Sequence, residues 1–221
     1  MEESVSKKAI VVLSGGMDSG TLLYHVLSKG YEVKAFSVNY GQRHEKELEY
    51  AKKMCVKLNV PHTVFSLPLS EIARGSSLTS DIPVPHGHYE EESMKQTIVP
   101  NRNMVLIALA ASYAISEKAE KVFYGAHAGD HAIYPDCRPE FAQKLGEALK
   151  ICDWFSVTLE APFINLTKGE IARMGKELGA DYSLMWTCYE GKETPCGKCG
   201  SCVERAEAFS FAGMEDPLLQ M

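Results

Sequence analysis

The sequence lacks an excess of positive charge and any long hydrophobic run. Its 221 residues carry 29 acidic and 23 basic side chains, which gives a formal net charge of -6. This balance argues against the broad electropositive face that binds tRNA or DNA, and it favours a small-molecule substrate. The apolar run that begins at Ala9 ends by Ser14, too soon for a secretory signal or a membrane span. We therefore expect a cytoplasmic protein with neither a nucleic-acid partner nor a membrane partner.

Two common nucleotide-binding signatures are absent as well. The glycine turn SGGMDS, residues 14–19, has no lysine of the G-x-x-x-x-G-K-[ST] type, and G-x-G-x-x-G does not occur. A phosphate-binding loop of either kind is thereby excluded. Any nucleotide site in this chain must be built differently.

Strand-like and helix-like segments alternate along the chain. Apolar, β-branched runs predict buried strands at 9–13, 33–38, 62–67, 121–125 and 156–160. Helical spacing predicts helices at 21–28, 43–58, 103–116, 138–152 and 168–178. This order predicts an α/β fold with a parallel, Rossmann-like sheet covered by helices on both faces. We expect one domain, residues 1–185, followed by a small C-terminal segment, residues 186–221, packed on it.

One long segment has little periodicity. Residues 68–100 are polar and rich in proline. Loops of this length inside a compact domain are usually functional lids or plain inserts. Both interpretations stay open at this point.

The glycine turn follows the first predicted strand, where open α/β sheets bind phosphates through free backbone N–H groups and the helix dipole. Gly15 and Gly16 let the backbone approach an anion, and Ser14 and Ser19 offer hydroxyl donors. The alternative is a tightly packed strand-to-helix joint in which Asp18 is an ordinary N-cap. The matched pattern after a clean apolar strand favours the anion cradle.

Four cysteines lie close together near the C-terminus. Cys188, Cys196, Cys199 and Cys202 are separated by seven, two and two residues. Overlapping C-x-x-C pairs are typical of tetrahedral Cys₄ zinc, which has no open position and hence a structural role. Iron–sulfur clusters also take four thiolates, and a disulfide or redox pair is the plainer alternative. Metal ligation would fix residues 201–211 onto the domain.

Ionisable residues are dense in residues 125–141, after the fourth predicted strand. They include His127, Asp130, His131, Asp136 and Arg138. At the carboxyl edge of the sheet they predict a polar substrate site. Arg138 has the planar guanidinium that binds a carboxylate in bidentate fashion, whereas Asp136 has an alternative role in a turn or N-cap. Arg102, at the end of the long loop, is a weaker candidate for contact with phosphate or substrate.

These motifs together resemble two nested families. SGGMDS resembles the SGGxDS loop of the ATP pyrophosphatases. In combination with VPNRNMVLIALAA, YPDCRPEF and TCYEGKETPCGKCGSCVERAEAF, it makes residues 8–211 similar to the 7-cyano-7-deazaguanine synthase family. There is one departure. Relatives commonly carry an aromatic-Ser-Gly before YPDCR, whereas this chain has His131-Ala132-Ile133.

The resemblance implies an ATP-dependent carbon–nitrogen ligase that converts 7-carboxy-7-deazaguanine and ammonia to the nitrile, with release of AMP and pyrophosphate. It implies ATP and Mg²⁺ at the active site, structural Zn²⁺ on the four cysteines, and Asp130, Asp136 and Arg138 as catalytic residues. The residues implied in binding ATP are Leu13, Ser14, Gly15, Gly16, Met17, Asp18, Ser19, Gly20, Thr21, Leu22, Leu23 and Arg102. The main alternative is a tRNA-thiolating enzyme of the same fold with an iron–sulfur cluster. Homodimer formation is left open.

Overall fold

A five-stranded parallel sheet forms the centre of the molecule. The computed structural model describes residues 7–89 and 91–219. The strands are β1 (Lys8–Val12), β2 (Glu32–Asn39), β3 (His62–Ser66), β4 (Lys121–Phe123) and β5 (Thr158–Glu160). Their order is β3-β2-β1-β4-β5, and every neighbouring pair is parallel. The predicted α/β fold is thus confirmed, with strand positions close to those expected from the apolar runs.

Six α-helices surround the sheet in the two described ranges of the chain. They are α1 (Met17–Ser28), α2 (Lys46–Leu58), α3 (Arg102–Glu117), α4 (Pro139–Leu149), α5 (Lys168–Glu177) and α6 (Gly200–Phe211). The first helix begins at Met17, earlier than the predicted residue 21, because Gly16 is its N-cap and Gly20 N–H already donates to Gly16 O at 2.9 Å. Helix α6 was expected only as a fixed tail. It begins directly after Cys199.

Alternate residues of β1 build two apolar layers. Ala9 and Val11 pack in a core with Leu22 of α1, Met54 of α2 and Phe209 of α6, whereas Ile10 packs in a second core with Ala110 and Ala114 of α3. Because successive side chains of a strand point to opposite faces, this division covers the sheet on both sides. It also leaves the carboxyl ends of β1 and β4 open at one edge.

The long segment 68–100 packs against the domain over much of its length. It contains short 3₁₀ helices at Leu69–Glu71 and Glu92–Thr97. Leu78 and Met94 are buried apolar residues, and Ser76 and Ser77 are buried as well. Tyr89 of this segment lines the cavity described below, and the lid and plain-insert interpretations both stay open.

The C-terminal segment is fastened to the domain by a buried arginine. Arg205 of α6 donates to Met185 O at 2.7 Å and to Tyr182 O at 3.2 Å, and its guanidinium pairs with Asp216. Burial of an arginine is tolerated when its donors are satisfied in this way. Over the described ranges of the chain, no helix is both long and apolar enough to cross a membrane.

Candidate active site

A cavity opens at the carboxyl edge of the sheet, between the ends of β1 and β4. Chain connections leave these two neighbouring strands in opposite directions, so the cavity lies at the switch point where open α/β sheets bind ligands. Ser14 follows β1 and Gly125 follows β4 on its wall. Tyr89 is supplied by the long segment. The sheet thus places the glycine turn and the 125–141 region on one surface, as the sequence predicted.

The glycine turn has a conformation that only glycine accommodates at its second position. Gly15 has φ of +97°, and a Cβ on it would lie 1.9 Å from the carbonyl oxygen of Glu47. Ser14 and Ser19 face each other with their hydroxyl oxygens 2.9 Å apart. Gly16 is the N-cap of α1, and no side chain among the described residues caps this helix. The first-turn N–H groups of α1 are therefore available to an anion.

Only part of the run predicted to bind ATP lines the cavity. Ser14, Gly16, Met17, Asp18 and Ser19 do, and so does Arg102. The structure places the other predicted residues elsewhere: Leu13, Leu22 and Leu23 are buried in the core, Gly15 and Gly20 pack against neighbouring chain, and Thr21 is hydrogen-bonded to Tyr182. These residues pack the turn against the domain and are not among the residues that line the cavity.

A cluster of charged side chains lies beside the glycine turn. We call it the lysine cluster, and its members are Asp18, His127, Asp130, Lys168 and Glu204. Lys168 Nζ lies 3.3 Å from Asp18 Oδ2 and 2.5 Å from Glu204 Oε2. Asp130 Oδ2 lies 3.6 Å from His127 Nε2, and Asp130 Oδ1 accepts a hydrogen bond from Tyr89 Oη at 2.7 Å. The sequence analysis missed Lys168 and Glu204. A capping box at Thr167 and Glu170 starts α5 and fixes Lys168 at its first position.

Electrostatic interactions within the lysine cluster keep Asp130 and Lys168 ionised. Burial raises the pKa of Asp130, but the charges of His127 and Lys168 and the Tyr89 hydrogen bond outweigh it, so the pKa is lowered. Burial lowers the pKa of Lys168, but Asp18, Glu204 and Asp130 outweigh that effect and raise the pKa. A cationic lysine and an anionic aspartate therefore face the cavity.

Two of the three residues predicted to be catalytic do not line the cavity. Arg138 Nε donates to His131 O at 2.9 Å, at the start of α4. Asp136 Oδ2 accepts from the Asn103 N–H at 2.9 Å, so this carboxylate caps the start of α3. Of the predicted trio, Asp130 alone is among the lining residues.

Five further lining residues belong neither to the glycine turn nor to the lysine cluster, and we call them the distal compartment: Tyr40, His44, Glu47, Arg102 and Tyr189. Glu47 is 8% exposed and His44 is 4% exposed. Burial raises the pKa of Glu47 to about 8, and burial lowers the pKa of His44 to about 3. Both side chains are thus poorly solvated and uncharged at neutral pH. Sequence reasoning missed them, although they follow β2 at the same edge.

Three buried polar atoms on the cavity residues have no hydrogen-bond partner in the part of the chain that the structure describes. They are Asp18 Oδ1, His44 Nδ1 and Tyr124 Oη. Buried polar groups are usually satisfied, so such atoms need a ligand or water. Their position marks this cavity as a binding site for a polar molecule.

The four cysteines converge as the spacing predicted. All four sulfurs lie within 4.8 Å of one another. The Cys196 N–H points to Cys188 Sγ at 3.3 Å, and the Cys199 N–H points to Cys196 Sγ at 3.3 Å. A single ion with bonds of about 2.3 Å brings thiolates to such separations. In a four-iron cluster each thiolate binds a different iron, which spreads the sulfurs further. The residues present therefore fit one tetrahedral metal ion.

The fold and the glycine turn define this chain as a protein of the ATP pyrophosphatase class, also called the PP-loop class. Its fold is similar to that of the U34-tRNA thiolase NcsA from Methanococcus maripaludis, solved with its [4Fe-4S] cluster, with a TM-score of 0.54 and 18% identity over 93% of this chain and 65% of that one. It is also similar to that of NMN synthetase from Francisella tularensis, with a TM-score of 0.54 and 17% identity over 98% of this chain and 82% of that one. Likeness at this level of identity shows the fold alone.

Sequence similarity then gives the family. Residues 8–213 match the family model described as "Queuosine biosynthesis protein QueC". The 7-cyano-7-deazaguanine synthase of Methanoregula boonei is 55% identical over 96% of this chain and 98% of its own length. That of Pseudoalteromonas translucida is 54% identical over 97% of this chain and 99% of its own length. The chain belongs to the QueC family, which supports the synthase interpretation over the thiolase alternative.

Proposed function

We propose that this protein is a 7-cyano-7-deazaguanine synthase that consumes ATP, ammonia and 7-carboxy-7-deazaguanine in queuosine precursor biosynthesis. Membership of the QueC family, whose curated relatives carry this enzyme name, is the observation that carries the proposal. The cavity supports it because both the glycine turn and the distal compartment line its wall. The absence of a positive charge excess fits a small substrate.

The chemistry requires the acid to be activated before nitrogen can enter. A carboxylate does not expel an oxide, so its oxygen must first be joined to AMP, and ammonia then displaces AMP to give the amide. Loss of the amide oxygen to reach the nitrile requires a second activation. Each activation releases pyrophosphate, which the N–H groups at the start of α1 and the hydroxyls of Ser14 and Ser19 are placed to bind.

The lysine cluster supplies charge on one side of the turn. Lys168 Nζ lies beside Asp18 and offers a positive charge to phosphate oxygens. The unpartnered Asp18 Oδ1 has the chemistry of a ligand for the Mg²⁺ that accompanies ATP. Asp130, ionised and held by Tyr89, is placed to accept a proton from ammonium. Full turnover by Asp130→Asn at every pH would contradict that role.

We assign the four-cysteine site to structural Zn²⁺. Four thiolates fill its coordination shell and leave no position for substrate. The ion would hold the turn at residues 196–202 and the start of α6. A colourless purified protein with one zinc per chain is expected, and a brown sample absorbing near 400 nm would instead indicate an iron–sulfur cluster.

One assay tests the proposed reaction. Purified protein with ATP, Mg²⁺, ammonium and 7-carboxy-7-deazaguanine should form nitrile, detected by mass spectrometry, together with two AMP for each nitrile. ADP as the sole nucleotide product would contradict cleavage at the α phosphate. AMP without nitrile would leave only the broader PP-loop chemistry. We further propose a cytoplasmic location. Homodimer formation stays open, and light scattering of the purified protein is its direct test.

A further inference from the structure

The distal compartment contains a carboxyl group that is buried without the donors it needs. The hydrogen-bond donor to Glu47 within the described residues is Gln42 Nε2, at the long distance of 3.5 Å. The His44 Nε2 atom lies 3.6 Å from Glu47 Oε1, and burial holds His44 neutral. A buried carboxyl with so few partners is costly unless a ligand completes its hydrogen bonds. Glu47 lines the cavity, so a ligand can reach it.

The groups around Glu47 have a definite donor and acceptor pattern. Hydrogen-bond donors brought by a ligand favour the ionised form of Glu47, as the charge of the nearby Arg102 also does, and the two oxygens of the ionised group form an adjacent pair of acceptors. Arg102 itself carries donors. Arg102 has no carboxylate partner within 4 Å among the residues described, and its recorded side-chain hydrogen bond goes to Tyr40 Oη at 3.4 Å. The compartment therefore offers two acceptors beside a free donor.

A 2-aminopyrimidinone edge matches this pattern. The guanine-type ring of the substrate presents a ring N–H, an exocyclic amine and a carbonyl oxygen side by side. A carboxylate takes the first two together, and a guanidinium donates to the third. Adenine presents an amine beside a bare ring nitrogen, so an ionised carboxylate can satisfy only one of its two groups. The chemistry of the edge thus distinguishes the two bases.

The rest of the cavity supports the same assignment. The Lys168 cation and the first-turn amides of α1 attract phosphates to the glycine turn. Among the described residues Glu47 has no lysine or arginine within 4 Å to offset repulsion of a phosphate, so its carboxyl is better suited to the uncharged base. Tyr189 lies against His44 with ring centroids 5.5 Å apart, and Tyr40 forms a second aromatic wall. Aromatic walls suit a flat heterocycle.

We propose that Glu47 is the specificity-determining residue for the deazaguanine base, accepting hydrogen bonds from its ring N–H and its 2-amino group. This inference deepens the proposed function and rests on it. A base lacking the 2-amino group loses one hydrogen bond and leaves a buried carboxylate oxygen unpaired. A site of this kind rejects such an analogue strongly.

The test combines one variant with one altered substrate. The variant is Glu47→Gln, and the analogue is 7-carboxy-7-deazahypoxanthine, which lacks the 2-amino group. For the natural acid, we expect Glu47→Gln to lower kcat/KM about 10- to 100-fold, with the KM for ATP within about twofold of the wild type. The wild type should prefer the acid to the analogue by about 10- to 100-fold, and the variant by less than about threefold.

A matched control is available on the same helix. Glu49 is exposed in the first turn of α2, so Glu49→Gln should keep wild-type constants for both substrates. Wild-type discrimination retained by Glu47→Gln would overturn the assignment, and so would a loss confined to the KM for ATP. If Glu47→Gln does not fold, calorimetry with the wild type alone decides. Equal affinity for the acid and the analogue would overturn the assignment.

Failure of this inference can be told apart from failure of the proposed function. A wild-type enzyme that makes no nitrile from the acid contradicts the proposed function. A wild-type enzyme that makes nitrile but accepts the analogue equally well contradicts only the role of Glu47.

Discussion

At the scale of single residues, the conformation of the glycine turn requires that residue 15 has no Cβ atom. A Cβ at Gly15 would lie 1.9 Å from Glu47 O, far inside any real contact distance, and its φ of +97° disfavours other residues. The turn can move only by displacing the start of α2. Both the backbone conformation at residue 15 and its packing against Glu47 therefore require glycine.

We predict that Gly15→Ala lowers the free energy of unfolding by about 2 to 4 kcal/mol, because overpacking adds to backbone strain. Denaturant titration measures the change, and pyrophosphate release should fall with it. Gly30→Ala is the matched control. Gly30 also has positive φ, at +77°, but nothing lies within 4 Å of its Cβ position, so about 1 kcal/mol is expected. Equal losses in the two variants would refute the steric argument.

Glu47 also predicts a pH dependence of stability. Burial raises the pKa of Glu47 in the folded protein to about 8, from an ordinary value of 4.5. The folded state therefore binds this proton more tightly, and the resulting stability is fully present below pH 4.5 and is lost as the pH rises towards 8. The whole effect is of the order of 5 kcal/mol.

Glu47→Gln removes this titration, so the ligand-free variant should be more thermostable than the wild type at pH 8. The difference in Tm should shrink towards pH 5, as measured by calorimetry across that range. Glu49→Gln provides the baseline because its carboxyl is exposed. A difference that is constant with pH would contradict the raised pKa of Glu47.

At the scale of elements, helix α6 connects the thiolate site to the active site. Glu204 lies just beyond Cys202 and reaches Lys168 at the start of α5. Loss of its negative charge leaves Lys168 with Asp18 as its remaining close carboxylate partner in the lysine cluster. The ammonium should then be drawn towards Asp18 and away from phosphate.

We predict that Glu204→Gln raises the KM for ATP about 3- to 10-fold and lowers stability by about 1 to 3 kcal/mol, because it breaks a buried pair. Steady-state kinetics and thermal unfolding measure the two effects. Glu207→Gln changes an exposed carboxyl on the same helix and should leave both quantities unchanged. A stability loss without a change in the KM for ATP would reduce Glu204 to a packing role.

Elements formed by local sequence signals could be predicted. Strands β1 and β2 were found because β-branched apolar runs have few other uses in a chain of this kind. The predicted start of helix α1, residue 21, is too late. Adjacent glycines suggest a loop, whereas Gly16 is the N-cap of this helix. Helix α6 was missed because its stability depends on distant contacts, such as Gly200 against Tyr89 and Met94.

The candidate site likewise contains residues that the sequence could predict and residues that it could not. Ser14, Asp18 and Asp130 follow strands directly, so their meeting at one edge follows from the predicted sheet. Lys168 and Glu204 come from remote segments, and only the packing of α5 on α6 brings them there. Residue type alone pointed to Arg138 and Asp136, but neither lines the cavity: Arg138 Nε donates to the His131 carbonyl, and Asp136 accepts from the Asn103 N–H.

At the scale of the whole molecule, removal of the metal should act on one side of the protein. The four sulfurs join residues 188–202, and the backbone of this region also bridges to the long segment between His86 and Cys199. The sheet has its own apolar cores on both faces. Loss of the ion is therefore expected to release α6 and its contacts before the strands open.

Chelation should lower Tm and speed hydrogen exchange in residues 188–211, while β1 and β2 stay protected. Mass-spectrometric hydrogen exchange with and without chelator resolves the two regions. Restored protection on adding back zinc is the control for irreversible damage. Uniform exchange across the chain would mean that the ion stabilises the entire fold as one unit.

The backbone bond from Trp186 N–H to Gly15 O, 2.9 Å long, has a consequence for nucleotide binding. Trp186 lies two positions before Cys188. The segment that carries the first thiolate therefore also stabilises the glycine turn, which we propose binds the nucleotide. We expect loss of the proposed ion to weaken nucleotide capture by the glycine turn while much of the polypeptide stays folded.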